Sequence, residues 1–173
     1  MGHMIEGEGR FLNIAVLTVS DTRTLAEDSS GNYLLEAATG DGHTVVDRVL
    51  IPDDVYQMRA VVSKWIADPD VEVVLTTGGT GFTDRDSTPE ALAPLFDKHI
   101  EGFGELFRQL SYEEIGTSTV QSRSLAGLAN RTAIFCLPGS TSACKTGWEG
   151  ILKTQLNSQF TPCNFVQHVG VKA

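Results

Sequence analysis

The chain has 173 residues, of which 41% are hydrophobic, enough for one core, and residues 5–173 are expected to form a single domain. A formal net charge of −9, with no basic stretch to neutralise a phosphate backbone, argues against a nucleic-acid partner. No apolar run reaches membrane-spanning length and no signal-peptide pattern opens the chain, so a soluble, cytoplasmic protein without a membrane partner is expected.

Leu12, Ile14, Val16, Leu17 and Val19 predict a first strand covered on both faces, ending at Ser20-Asp21. In α/β proteins the ligand crevice lies beyond the carboxyl ends of the strands, which places Ser20, Asp21, Thr22 and Arg23 on that rim; an ordinary polar connection is the alternative. Asp28-Ser29-Ser30-Gly31 is rich in capping residues and opens a helix from about Ser30 to Ala38. Thr44 to Ile51 predicts a second strand, closed by Pro52. Asp54 suits the cap of the next helix, whose stripe is Val55, Met58, Val61, Val62, Trp65 and Ile66, which leaves Asp53 without a capping role.

Val71 to Leu75 predicts a buried parallel strand, followed by Gly78, Gly79 and Gly81, with hydroxyls from Thr76, Thr77 and Thr80. Such a loop exposes amide N–H groups to an oxyanion and lets a ligand approach where a Cβ would clash. Asp84 and Asp86 beside it would repel a bare phosphate, which points to a phosphate bridged by Mg²⁺. A structural turn with solvated charges is the alternative. Thr88 is the expected cap of a helix running from Pro89 to Phe96. The absence of Lys-Ser or Lys-Thr after the glycines excludes a Walker A loop, and the glycine spacing is not the dinucleotide fingerprint.

Phe103, Leu106, Phe107, Leu110 and Ile115 form a further helical stripe that packs inward or meets another subunit. Gly116 to Arg123 is polar and hydroxyl-rich. Thr132 to Leu137 predicts the last strand, with Pro138-Gly139-Ser140-Thr141 at its carboxyl end as a second glycine turn, leading into a helix through about Leu156. Thr161 to Ala173 shows no clear pattern. Strands and helices alternate without a linker, which predicts a three-layer α/β sandwich with a mostly parallel sheet. Cys136, Cys144 and Cys163 read as reduced thiols, and the four scattered histidines have no zinc-site spacing. Gly2-His3-Met4 reads as an expression scar.

The string TTGGTGFTDRDSTPEAL closely resembles the signature of molybdenum cofactor biosynthesis proteins of the MoaB/MogA type. Ile51-Pro52-Asp53-Asp54, Glu101-Gly102-Phe103-Gly104-Glu105, Gln121-Ser122-Arg123 and Leu137-Pro138-Gly139-Ser140 resemble further blocks in the family order, so the likeness spans Asn13 to Asn164. The resemblance implies a molybdopterin-binding fold and transfer of AMP from Mg-ATP to the terminal phosphate of molybdopterin. It implies that Asp53 and Asp86 place Mg²⁺ or assist proton transfer. Thr77, Gly78, Gly79, Thr80, Gly81, Pro138, Gly139 and Ser140 would build the binding loops, Ser122-Arg123 would lie near the pocket, and Arg123 and Lys145 are candidates for countering phosphate charge. Homotrimers, or trimers paired into hexamers, are implied as well. Residues 102–132 and 138–151 resemble the B-type branch more than the adenylyltransferase branch, so a catalytically silent molybdopterin-binding or scaffold protein is the alternative. An unrelated phosphate-binding oligomer is a third reading.

Overall fold

The computed structural model describes residues 1–172. In chain order the main elements are β1 (Asn13–Val19), α1 (Ser29–Gly40), β2 (Thr44–Ile51), α2 (Val55–Ala67), β3 (Val73–Thr77), α3 (Thr88–Leu92), β4 (Lys98–His99), α4 (Glu101–Ile115), β5 (Leu125–Ala129), β6 (Thr132–Leu137) and α5 (Thr141–Gly147). The helix of α5 continues through a π-helical turn at Trp148–Leu152 and an α-helical end at Lys153–Gln155. One six-stranded sheet has the order β2-β1-β3-β6-β5-β4, parallel from β2 to β6 and antiparallel beyond it.

The central strands are buried on both faces, and their side chains divide with a period of two. Ile14 and Val16, Val73 and Leu75, and Ala133, Phe135 and Leu137 join one core with α1, α4 and α5. Ala15, Leu17 and Val19, Val74, and Ile134 and Cys136 join a second core with α2 and α3. The predicted three layers follow from that alternation. Asp54 caps α2, accepting from the N–H groups of Tyr56 and Gln57, as its position required.

Three expectations change. The third strand starts at Val73 and runs through Thr76 and Thr77, so those threonines are buried strand residues. The helix expected over 89–96 is the short α3 followed by a 3₁₀ turn at Ala93–Leu95, which begins one residue before Pro94. Ser87, not Thr88, takes the cap position, because the Thr88 hydroxyl donates to the Gly78 carbonyl at 2.8 Å. Strand β5 and its partner β4 had no counterpart in the reading of the sequence. The β5–β6 hairpin turns through Asn130 and Arg131, both at positive φ, the pairing that a two-residue type I′ turn demands. The tail also packs: Val166 and Val169 are buried in the first core, and Phe160–Thr161 pairs with His3–Met4.

Chain crossovers leave β1 for β2 on one side and arrive at β3 on the other. The carboxyl ends of β1 and β3 therefore flank a topological switch point, where the crevice of an open α/β sheet lies.

Candidate functional site

A cavity of about 510 Å³ opens at that point. Its floor is built from the ends of β1, β3 and β6 and the loops that follow them: Thr18 to Ser20, Thr77 to Gly81, and Pro138 to Ser140. The two glycine turns touch, since a Cβ on Gly139 would lie 3.3 Å from Gly78 Cα. Thr141 donates to the Ser29 hydroxyl at 2.9 Å, which holds the N-terminal ends of α5 and α1 side by side at the rim. Both ends carry the positive pole of a helix.

The glycine loop has a defined polarity. The carbonyl of Gly78 accepts from Thr88 Oγ1 at 2.8 Å and that of Gly79 from Thr88 N–H at 2.9 Å. Those of Thr80 and Gly81 accept from Arg123 N–H and Nε, at 3.2 and 2.9 Å. In a trans peptide the N–H lies opposite the carbonyl, so the amides of Gly79 and Thr80 point away from α3, as an anion site needs. Gly78 and Gly79 hold positive φ, 106° and 65°. The expectation that a Cβ here would meet the ligand is corrected. On Gly78 it would strike the Val19 carbonyl, and on Gly79 it would strike Thr88 Oγ1 and come within 2.5 Å of Asp53 Oδ2. These glycines are demanded by the packing behind the loop.

Three acids stand around the loop, each engaged differently. Asp53 is buried, and its Oδ1 accepts from the N–H and hydroxyl of Ser87. Burial raises its pKa, the Ser87 bonds oppose the shift, and the charges of Asp86 and Asp21 add to it. Asp86 borders the cavity, and its Oδ2 accepts from Thr83 N–H at 2.9 Å and Thr83 Oγ1 at 2.6 Å. Desolvation pushes that carboxyl up, but the Thr83 bonds, a Gly81 N–H bond and the Arg123 charge outweigh it and leave its pKa lowered. Asp21 is held at about 2, first by hydrogen bonds from Arg85, whose Nε and Nη2 both donate at 2.8 Å, and then by the Asp53 N–H. Among the described residues no group of three or more His, Cys, Asp or Glu side chains is placed to hold a metal ion.

Residues 15–158 match the family described as probable molybdopterin binding domain. Molybdenum cofactor biosynthesis protein B of Escherichia coli (strain K12) is 57% identical over 156 residues, covering 90% of this chain and 92% of its own. The chain belongs to the molybdenum cofactor biosynthesis protein B family, of the MoaB/MogA type. A crystal structure of a molybdenum cofactor biosynthesis protein B superposes with a TM-score of 0.82 at 40% identity, over 85% of this chain and 92% of the other. The tungsten cofactor synthesizing protein MoaB from Pyrococcus furiosus does so with a TM-score of 0.75 at 40% identity, over 83% and 91%.

Within this family fold, the cavity brings together Ser20, Thr77, Gly78, Gly79, Thr80, Gly81, Asp86, Ser122, Pro138, Gly139 and Ser140 from the expected set. Asp53 stands behind Gly79, and Asp21 is turned to Arg85. Arg123 is a buckle for the acidic loop: it bonds the carbonyls of Gly81 and Asp86, pairs with Glu90, and lies 5.0 Å from the Phe82 ring centre. Lys145 lies elsewhere, on a depression shared with Glu113, Glu149 and Leu110. Arg23, placed on this rim by topology, is the cation of the lining. The helical part of the cavity wall, Phe107, Ser111 and Ile115, escaped the sequence, whereas Ser118 and Gln121 fall in the hydroxyl-rich segment 116–123 whose Ser122-Arg123 pair the resemblance set near the pocket. The only signal of the helical part was the polar Ser111 within an otherwise apolar helical stripe.

Proposed function

We propose that this protein binds molybdopterin in the cavity and transfers AMP from Mg-ATP to its terminal phosphate. The observation that supports it most is the convergence of the outward-facing Gly79 and Thr80 amides with the N-terminal ends of α1 and α5 on one cavity. That arrangement stabilises an oxyanion without a lysine. In the reaction a terminal phosphate oxygen of molybdopterin forms a bond to the α-phosphorus of ATP, the bond between α-phosphorus and bridging oxygen breaks, and pyrophosphate leaves. Positioning and charge stabilisation are the protein's main tasks.

The acids fit a magnesium ion that arrives with a phosphorylated ligand, since such ions use one or two carboxylates plus substrate oxygens. Ser87 engages Oδ1 of Asp53, behind the loop, and leaves its Oδ2 free, while Asp86, bonded by Thr83 and by the Gly81 N–H, is the acid that borders the cavity and would hold the ion. The ion would neutralise charge on the phosphates. Asp53, with its pKa raised by burial, suits proton acceptance from the attacking phosphate. A second reading, a silent molybdopterin binder, is favoured by the same bonds, because each acid has a structural partner. We further propose a homotrimer or homohexamer, for Leu106, Tyr112, Ile115 and Val120 leave apolar area exposed on and after α4. Equilibrium binding of molybdopterin, displaced competitively by inorganic phosphate, tests the site. Binding that phosphate does not relieve would place the ligand elsewhere.

A further inference from the structure

Two charged side chains line the cavity, Arg23 and Asp86, of opposite sign. Arg48, Arg85 and Arg123 are each paired with a carboxylate, from Asp28, Asp21 and Glu90. Arg23 is paired with none among the described residues, and its guanidinium makes one bond there, Nη1 donating to Ser30 Oγ at 3.3 Å. That bond anchors the group without neutralising it. Arginine only donates, so Ser30 accepts from it and keeps its own proton for Asp28 Oδ1 at 3.3 Å, while the Asp28 charge is already met by Arg48 Nη2 at 2.9 Å. The main chain at Arg23 is fixed as well, its N–H donating to Ser20 Oγ at 3.2 Å. The guanidinium charge also reaches the second glycine turn: burial raises the pKa of the Cys144 thiol, which bonds the Pro138 carbonyl, to about 11, and Arg23 is among the groups that oppose the rise.

The two charges belong to different sides of the sheet. Ser30, which anchors Arg23, lies in the first turn of α1, whose Leu34 and Ala38 pack into the first core; Asp86 belongs to the loop entering α3, whose Ala91 and Leu92 pack into the second. The Gly79 and Thr80 amides point away from α3 and so share the Arg23 side. A phosphate monoester dianion is met there by N–H donors and an unspent cation, whereas the acid on the α3 side repels a phosphate unless a metal ion comes with it. We infer that the cavity has two phosphate addresses: Arg23 binds the terminal phosphate of the pterin without a metal, and Asp86 receives only nucleotide phosphates that carry Mg²⁺. The inference rests on the molybdopterin reading and adds to it which substrate needs the ion and which residue holds the other phosphate apart.

The test titrates 6-hydroxymethylpterin and its phosphate ester in EDTA, and ATP with and without Mg²⁺, as separate binding measurements. The parent should bind the phosphate ester in EDTA about tenfold or more tightly than the alcohol, since charged hydrogen bonds to the guanidinium go with the phosphate. Arg23→Gln should bring that ratio close to one and leave Mg-ATP affinity within about twofold of the parent, and Arg23→Lys, which keeps the charge but not the fork, should restore part of the ratio. Asp86→Asn should do the reverse, keeping the pterin ratio and removing the magnesium dependence of ATP binding. Equal affinity for the two pterins in the parent, an unchanged ratio in Arg23→Gln, or a parallel loss of Mg-ATP binding in both Arg23 variants overturns the inference alone. A parent that binds neither pterin overturns the molybdopterin reading and this division with it.

Discussion

Gly79→Ala isolates the packing behind the glycine loop from its front. The residue sits at φ 65°, which costs an L-residue about 1–2 kcal/mol. Its Cβ would displace Thr88 Oγ1 from the Gly78 carbonyl, a loss of about 1 kcal/mol, and would push Asp53 off Ser87, a charged hydrogen bond worth about 1.5–3 kcal/mol. A total of about 3.5–6 kcal/mol lowers the melting temperature of a chain this long by about 7–24 °C. Gly139→Ala is the control: its Cβ comes no closer than 3.3 Å to Gly78, a contact that a few tenths of an ångström relieve, and it should change stability by less than about 1 kcal/mol. Thermal and urea unfolding measure both. If Gly79→Ala melts with the parent while ligand affinity collapses, the Cβ faces the ligand and the packing account is refuted.

Asp86→Asn keeps an oxygen for Thr83 but removes the charge, so adenylyl transfer should fall on the order of a hundredfold while pterin affinity holds, read as separate rate and binding measurements. The acid limb of the rate profile should rise through the pKa of Asp53, above the ordinary aspartate value, and vanish in Asp53→Asn. His43 is buried and accepts the Leu12 N–H on Nδ1 at 3.1 Å, and burial lowers its pKa. Since the unfolded chain then binds the proton first, stability is full above about pH 6.5 and declines as pH falls toward the lowered folded value. Urea midpoints across that range check it, and a flat response would remove His43 as the cause. Light scattering should show a trimer or hexamer, and Ile115→Glu should shift it toward monomer; a parent that is monomeric at micromolar concentration refutes the oligomer.

The parallel half of the fold was legible because β-branched runs and capping residues coincide there: Thr44 to Ile51 and the Asp54 cap emerged as expected. The antiparallel edge was not, since Leu125–Ala129 holds alanine and glycine where strands usually carry bulk. Gly127 is there because a Cβ would run into the Phe96 ring, a contact between residues distant in the chain that no local pattern reveals. The binding loops were readable as motifs, but the job of each residue was not. Thr88 resembled a cap and ties down Gly78, while Arg123 resembled a phosphate ligand and locks the acidic loop. Phe107 and Ser111 reach the cavity only because α4 folds back beside β5.

Incubation of the protein with molybdopterin and Mg-ATP, with separation of the pterin products, addresses the function most directly. The account predicts adenylylated molybdopterin and pyrophosphate in equal amounts from the parent and little of either from Asp86→Asn. Molybdopterin that is bound by the parent and recovered without AMP would contradict the transferase reading and leave the silent binder in its place.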